Sequence, residues 1–361
     1  MSLLPWIKVN GITYSHEELK RQSSFEYARS DFERSTLKFC HDWLNGQQEF
    51  TLQTSGSTGV PKPIVLFRKQ MEASARQTIE ALPLKSGETA LVCLDTKYIA
   101  GQMMLVRSLI AGMNIIAVEP TSNPFDKIED QDIDFVALVP YQLENSIEHE
   151  AEKLNQVRCA IIGGAAISLS LMEKIKKSRC FLFATYGMTE TISHIALQRL
   201  NGKNVDDYFE AFPTIDLRLD ERGCLCIKAN YLKEEIITND LVELMEERKF
   251  RWLGRIDNVI NSGGIKVIPE KVELAFEKIF DSFQIKNRFF ITGLADVKLG
   301  NKVTLVVEGL AFNKEIQKEI LAEGIQVLTK YEVPKEFIFA KHFKETATGK
   351  INRSAIVASI Q

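Results

Sequence analysis

The chain has few of the features that would take it away from ordinary enzyme chemistry. It has six cysteines in 361 residues, at positions 40, 93, 159, 180, 224 and 226, and no Cys-x-x-Cys pair. That scatter argues against a disulfide framework and against a thiolate zinc site. The five histidines show no metal-ligand spacing. No apolar run approaches the roughly 20 residues of a membrane-spanning helix. Met1 to Asn10 lacks a cationic start followed by an apolar stretch, so no signal peptide is read there. Excess charge is missing too. The net charge is −3 with both signs interspersed, and no basic stripe of the kind that nucleic acid selects stands out. The run of Lys174, Lys176, Lys177 and Arg179 reads as the solvated face of a helix. The expectation is a cytoplasmic, reduced protein with no structural metal, nucleic-acid partner or membrane insertion. A chain of 361 residues exceeds what one hydrophobic core usually supports, so two domains are expected.

What the chain does have is concentrated in one loop, Thr54-Ser55-Gly56-Ser57-Thr58-Gly59-Val60-Pro61-Lys62. Glycines let backbone N–H groups turn toward an anion, and hydroxyls and a lysine add further donors. Polyphosphate is held in this way. Short strand-like runs, Glu49 to Gln53 and Ile64 to Phe67, flank the loop. It is not a Walker A loop, because a proline separates the second glycine from the lysine. Read alone, such a Ser/Gly run is more often a solvated loop.

The middle of the chain alternates. Apolar runs at Ala90–Leu94, Asn114–Val118, Phe135–Val139, Cys159–Ile162 and Cys180–Ala184 are separated by crossover-length segments, with helices read over Gln102–Ile110, Tyr141–Leu154 and Ser168–Lys177. That rhythm predicts an α/β fold with a mostly parallel sheet flanked by helices. After about residue 210 hairpins follow, Ile215–Leu219 with Cys224–Lys228 and Leu241–Met245 with Lys249–Leu253. From Pro269 a helix to Phe280, strands near Arg288–Gly293 and Val303–Glu308, and a helix over Lys314–Ala322 suit a small α/β domain.

Ligands of parallel sheets sit at the C-terminal strand ends, and three further motifs lie at such points or in turns. Gly163, Gly164 and Ala165 end one strand with small residues that let a flat ring approach backbone. A tight strand-to-helix turn is an equal reading. Tyr186-Gly187-Met188-Thr189-Glu190 ends the next and offers an aromatic ring, a hydroxyl and a carboxylate. A carboxylate suits Mg²⁺, which also binds substrate phosphates. Thr238-Asn239-Asp240 reads as a turn between the two hairpins, its carboxylate able to accept from two vicinal hydroxyls. An exposed turn aspartate is the plainer alternative.

Taken together, these strings resemble the ordered motifs of the adenylate-forming (AMP-binding) acyl-CoA synthetase family. The resemblance includes the phosphate loop, Tyr186–Glu190, Thr238–Asp240 (with asparagine where the family has glycine), Gly254-Arg255-Ile256-Asp257 running on to Gly263 and Gly264, and Thr348-Gly349-Lys350. It extends from residue 52 to the end. Family members usually carry a longer segment ahead of the phosphate loop, so the N-terminal part is expected to be shortened, leaving surface exposed or buried in a homodimer.

The resemblance implies a large domain, residues 1–256, and a small mobile α/β domain, residues 257–361. It implies ATP, Mg²⁺ and coenzyme A. A carboxylate attacks the α-phosphate of ATP to give an acyl-adenylate, and a thiol then displaces AMP. Lys350 is carried over as the catalytic cation between α-phosphate and carboxylate, with Thr189 and Glu190 beside it and Glu190 on Mg²⁺. Thr54, Ser55, Gly56, Ser57, Thr58, Gly59 and Lys62 are carried over to the phosphates, and Gly164, Ala165, Tyr186, Gly187, Asp240 and Arg255 to the rest of ATP or AMP. Asp257 is carried over as the hinge, and Gly263 and Gly264 as the coenzyme A channel.

The region expected to hold the acid is polar. Tyr98, Gly101, Gln102, Arg107, Gly163, Ser193 and His194 are its candidates. An arginine with hydroxyls beside it suits a substrate that carries a second carboxylate, although a helix-surface arginine is the plain reading of Arg107. The spacing Gly101-Gln102…Arg107 and the string Val139-Pro140-Tyr141-Gln142-Leu143 resemble the 2-succinylbenzoate–CoA ligase branch of the family, which belongs to menaquinone biosynthesis. Tyr98 stands where that branch usually has histidine, and Tyr141 where it has threonine. Another small aryl or short-chain acid is the alternative substrate, and a carrier protein the alternative acceptor.

Overall fold

A computed structural model describes residues 5–53, 63–128, 131–246, 248–345 and 351–360. Among them a thirteen-stranded sheet forms the first part of the chain. Its centre is parallel and runs, neighbour to neighbour, through Ile7–Val9, Asn114–Ala117, Thr89–Val92, Phe135–Leu138, Cys159–Ile162 and Phe181–Gly187. Phe135–Leu138 and Cys159–Ile162 are buried at every position. Strands covered on both faces read as continuous apolar runs, which is why the sequence marks them. Beyond Phe181–Gly187 the pairing turns antiparallel, through His194–Arg199, Phe209–Ala211, Lys249–Arg255, Ile236–Glu246, Cys224–Ala229 and Ile215–Leu219. The hairpins therefore extend the same sheet.

Helices cover both faces. One apolar cluster joins Val92, Ala117 and Phe135 to the helices Asp31–Leu44 and Ile99–Ala111. Another packs Leu91, Val136 and Ile162 beneath Pro140–His149 and Leu169–Ile175. The segment ahead of the Glu49–Gln53 strand contributes to the fold: Ile7–Val9 pairs with Asn114–Ala117, and Asp31–Leu44 buries Phe32, Leu37, Phe39, Cys40 and Trp43. Ser30 caps that helix by accepting from the Glu33 backbone N–H, 3.1 Å, a contact that typically stabilises by about 1 kcal/mol. Arg68 donates to the Trp43 carbonyl at 2.7 Å and lies 4.0 Å over its ring. It so joins the helix to the hairpin Glu49–Gln53/Pro63–Phe67, whose five-residue register brackets residues 54–62.

Two expectations are corrected here. The single helix over 141–154 is broken at Glu150 into Pro140–His149 and Ala151–Gln156. Thr238–Asp240 is not a turn but lies within the eleven-residue strand Ile236–Glu246, where Asp240 pairs with Arg255 and a bulge follows at Leu241/Val242.

From Ile260 a second sheet begins: Ile265–Val267, Ile260–Ser262, Gly300–Glu308 and Phe289–Asp296 in order, with Glu336–Ala340 parallel to Gly300–Glu308. The helix Pro269–Ser282 buries Val272, Phe276, Ile279 and Phe280 on it. All six cysteines are buried and unpaired; burial pushes the Cys40 and Cys93 thiols up to about 12, so they stay protonated and inert. No helix among the described residues is long and apolar enough to cross a membrane.

Candidate active site

The loops after the parallel strands share one edge of the sheet, the edge that receives ligands in open α/β folds. Gly163, Gly164 and Ala165 follow Cys159–Ile162 there. Gly164 has φ +86°, which a side chain disfavours. A Cβ on Gly163 would lie 2.5 Å from Thr185 Oγ1, a hydroxyl that donates to the Ile162 carbonyl at 3.1 Å. Thr189 and Glu190 sit on a one-turn 3₁₀ segment, Thr189–Thr191, with Glu190 exposed. Thr191 holds that segment by accepting from the Met188 backbone at 2.9 Å and donating to Met188 and Ser193 carbonyls.

Tyr186 and Asp240 meet: the tyrosine hydroxyl donates to Asp240 Oδ2 at 2.6 Å. Burial, and then the carboxylate beside it, push that hydroxyl well above its ordinary pKa, so the proton stays on the tyrosine. The ring is packed edge-on against Phe250 and tilted against Phe209, at 5.0 and 5.8 Å, and only 9% of the residue is exposed. Arg255 lies 3.7 Å from the other Asp240 oxygen and bonds Asp257 at 2.7 Å. Asn239 also donates to both Asp257 oxygens, at 3.1 and 3.2 Å. Asp257 thereby links the strand Ile236–Glu246 to the start of the second sheet. Gly263 and Gly264, with φ of +60° and +81°, form the two-residue turn between Ile260–Ser262 and Ile265–Val267, the hairpin geometry that needs positive φ at both positions.

Arg107 is the most unusual side chain in the fold. It lies on the helix Ile99–Ala111, is 2% exposed and has no carboxylate partner among the described residues. Its Nε donates to Thr78 Oγ1 at 3.2 Å, and its Nη2 donates to Ser193 Oγ and to His194 Nδ1, the latter at 3.3 Å. Since a guanidinium only donates, His194 Nδ1 must be the bare nitrogen. Nε2 then carries the proton and donates to Thr78 Oγ1 at 3.0 Å. Burial, and secondarily the guanidinium, hold the His194 pKa well below its usual range, in keeping with that neutral tautomer. Burial also lowers Arg107 itself to about 9, which leaves it charged at neutral pH. A buried cation without an opposite charge beside it favours an anionic partner.

The structure thus brings Arg107, Ser193 and His194 together and adds Thr78, which sequence reasoning missed. Its signal was the helical spacing of Met71, Ala75 and Thr78, all buried on the helix Arg68–Ala81. Tyr98 and Gln102 lie elsewhere. They line a cleft of about 490 Å³ with Ser35, Lys38, Phe39 and Thr96; Gln102 and Arg107, five apart on the helix, differ by roughly 140° in direction. Gly101 is a packing residue: a Cβ there would lie 2.5 Å from the Asp95 carbonyl oxygen. Thr54, Ser55, Gly56, Ser57, Thr58, Gly59, Lys62 and Lys350 lie outside the described residues.

Gly187 is where the two halves of the site touch. A Cβ on it would lie 2.4 Å from His194 Cα and 2.5 Å from the Ser193 carbonyl oxygen. Gly187→Ala should therefore push Phe181–Gly187 from His194–Arg199 and destabilise the protein by about 1–3 kcal/mol. Denaturant midpoints check this, and an unchanged midpoint would show that the contact yields freely.

Comparison with known proteins shows which chains this one is similar to. Residues 32–219 match the AMP-binding enzyme family. A solved acyl-CoA synthetase (AMP-forming)/AMP-acid ligase II-like protein from Dyadobacter fermentans is 38% identical, with 96% of this chain and 99% of that one covered and a TM-score of 0.64. The 2-succinylbenzoate–CoA ligase of Listeria innocua is 24% identical over 96% of this chain and 75% of its own. The O-succinylbenzoate coenzyme A synthetase of Bacillus subtilis, solved with ATP and a magnesium ion, shares the fold with a TM-score of 0.73 at 21% identity, over 84% of this chain and 68% of that one.

Proposed function

The chain belongs to the AMP-binding enzyme family, and on that footing we propose that it activates a carboxylic acid with ATP and passes the acyl group to coenzyme A, with 2-succinylbenzoate as the acid. One observation carries the choice of acid: the buried guanidinium of Arg107 has two hydroxyls and a neutral imidazole around it but no carboxylate among the described residues. A substrate with a second carboxylate supplies the missing charge. A monocarboxylate does not. The names of the Listeria and Bacillus relatives support the same acid.

In the first step a carboxylate oxygen attacks the α-phosphorus, a P–O bond forms, and pyrophosphate leaves. Lys350 faces the charge that builds on the α-phosphate; a preorganised cation there is worth roughly 3 kcal/mol. Residues 54–62 hold the phosphates. Glu190, a lone exposed carboxylate at a strand end, suits Mg²⁺, which keeps most of its waters and shares substrate phosphates and would neutralise their charge. Asp240, with one oxygen fixed by Tyr186, is assigned to accept from the ribose hydroxyls, a role that suits a carboxylate. In the second step the thiol attacks the acyl carbonyl and AMP leaves. We assign residues 257–361 to a domain that turns about Asp257 between the steps, bringing the Gly263–Gly264 turn in as Lys350 withdraws.

The test is the acyl-CoA product made from a panel of acids with ATP, Mg²⁺ and coenzyme A. The reading expects 2-succinylbenzoate to exceed benzoate and hexanoate in kcat/KM. Equal use of all three would refute the choice of acid and leave a ligase of small acids.

A further inference from the structure

The last helix, Arg353–Ile360, begins three residues after Lys350. Two features fix the chain around that point. Glu345 and Ile351 form an antiparallel bridge, and the Asn352 backbone donates to the Lys344 carbonyl at 2.8 Å. These contacts form a neck, Lys344 and Glu345 against Ile351 and Asn352, that holds together the described chain on either side of 346–350. On the far side of the neck, Arg353 donates through both Nη atoms to the two Glu273 oxygens, at 2.8 and 3.0 Å. Glu273 Oε1 is itself fixed by the Ile291 backbone N–H at 2.8 Å.

The pair is better built than a surface ion pair. The Glu273 side chain is 19% exposed and that of Arg353 34%; the guanidinium also lies 5.6 Å over the Phe290 ring. Ile356 buries the helix against Phe290, Val306 and Phe343. A second pair on the near side, Arg288 with Glu345 at 2.5 Å, has side chains 45% and 43% exposed. Water and salt screen such a pair, so it adds little. A bidentate Arg–carboxylate bond fixes direction as well as distance.

We propose that Glu273 is a positioning residue for Lys350: through Arg353 it sets where the lysine enters the active site during adenylate formation. The proposal rests on the reading of Lys350 given above. Glu273 touches neither substrate nor reacting atoms. It acts by fixing Arg353, three residues after Lys350 in the chain, and a misplacement of about 1 Å at a reacting centre can reduce a rate by about a hundredfold.

The full chain is assayed in each half-reaction separately, as wild type, Glu273→Gln and Arg353→Lys. Glu273→Gln is expected to lower kcat for acyl-adenylate formation by about tenfold to a hundredfold, with a smaller change in the KM for ATP. Thioester formation from supplied acyl-adenylate is expected to stay at the wild-type rate. Arg353→Lys, which keeps the charge and loses the fork, is expected to fall between and serves if Glu273→Gln does not fold. Equal loss in both half-reactions, or none in either, would overturn the proposal and leave the pair as a staple of the last helix. A wild-type protein that forms no acyl-adenylate with any acid would overturn the functional reading as well, so the two failures are told apart.

Discussion

Lys350→Ala is expected to lower acyl-adenylate formation by about a hundredfold or more, the range seen when one preorganised group facing developing charge is removed. Transfer of the acyl group from supplied acyl-adenylate to coenzyme A is expected to continue at close to the wild-type rate. The asymmetry follows from the chemistry of the two steps. Negative charge grows on the α-phosphate and pyrophosphate only in the first, so a cation placed there assists only that step. In the second step AMP is the leaving group and the thiol needs the space at the carbonyl, so the lysine has to be elsewhere. Pyrophosphate release reads the first step and thioester absorbance the second. Equal losses in both would mean that a single arrangement serves the whole reaction, and the turning of residues 257–361 would be withdrawn.

Arg107→Ala is expected to weaken use of 2-succinylbenzoate about ten- to a hundredfold more than use of a monocarboxylic analogue, since a hydrogen bond to a charged group is worth roughly 1.5–3 kcal/mol. The comparison between acids matters more than the absolute loss. Removing the guanidinium strips Thr78, Ser193 and His194 of a shared partner, and that damage falls on every substrate alike. Only the part that discriminates reports on a second carboxylate. Parallel losses in kcat/KM would make Arg107 a structural cation and remove the argument for a dicarboxylic acid.

The sequence marked some of this well and some of it not at all, for physical reasons. The parallel centre was legible because strands buried on both faces, such as Phe135–Leu138, leave uninterrupted apolar runs. Asp240 was misplaced because Thr-Asn-Asp is turn chemistry locally, while its partner in the ladder, Arg255, lies fifteen residues away. The burial of Arg107 had a signal that local reading passed over. Gln102, Arg107 and Ser108 are the polar members of Ile99–Ala111, and a helix apolar on nearly every side belongs inside a fold. The network itself could not be read, since Thr78, Arg107 and His194 come from three elements and 116 residues of chain. Glu273 was hidden for the same reason. Eighty residues separate it from Arg353, and on its own helix it is one acid among several.

The central claim is that the acid is activated on the α-phosphate. The most direct measurement of it uses an acid labelled with ¹⁸O in its carboxyl group, turned over with ATP and coenzyme A, followed by mass analysis of the nucleotide. Attack on the α-phosphorus leaves one carboxyl oxygen on AMP when the thiol takes the acyl group. The account predicts AMP heavier by one ¹⁸O atom, in step with acyl-CoA formed, and unlabelled pyrophosphate. Label appearing in orthophosphate with ADP as the nucleotide product, or acyl-CoA forming with unlabelled AMP, would contradict it.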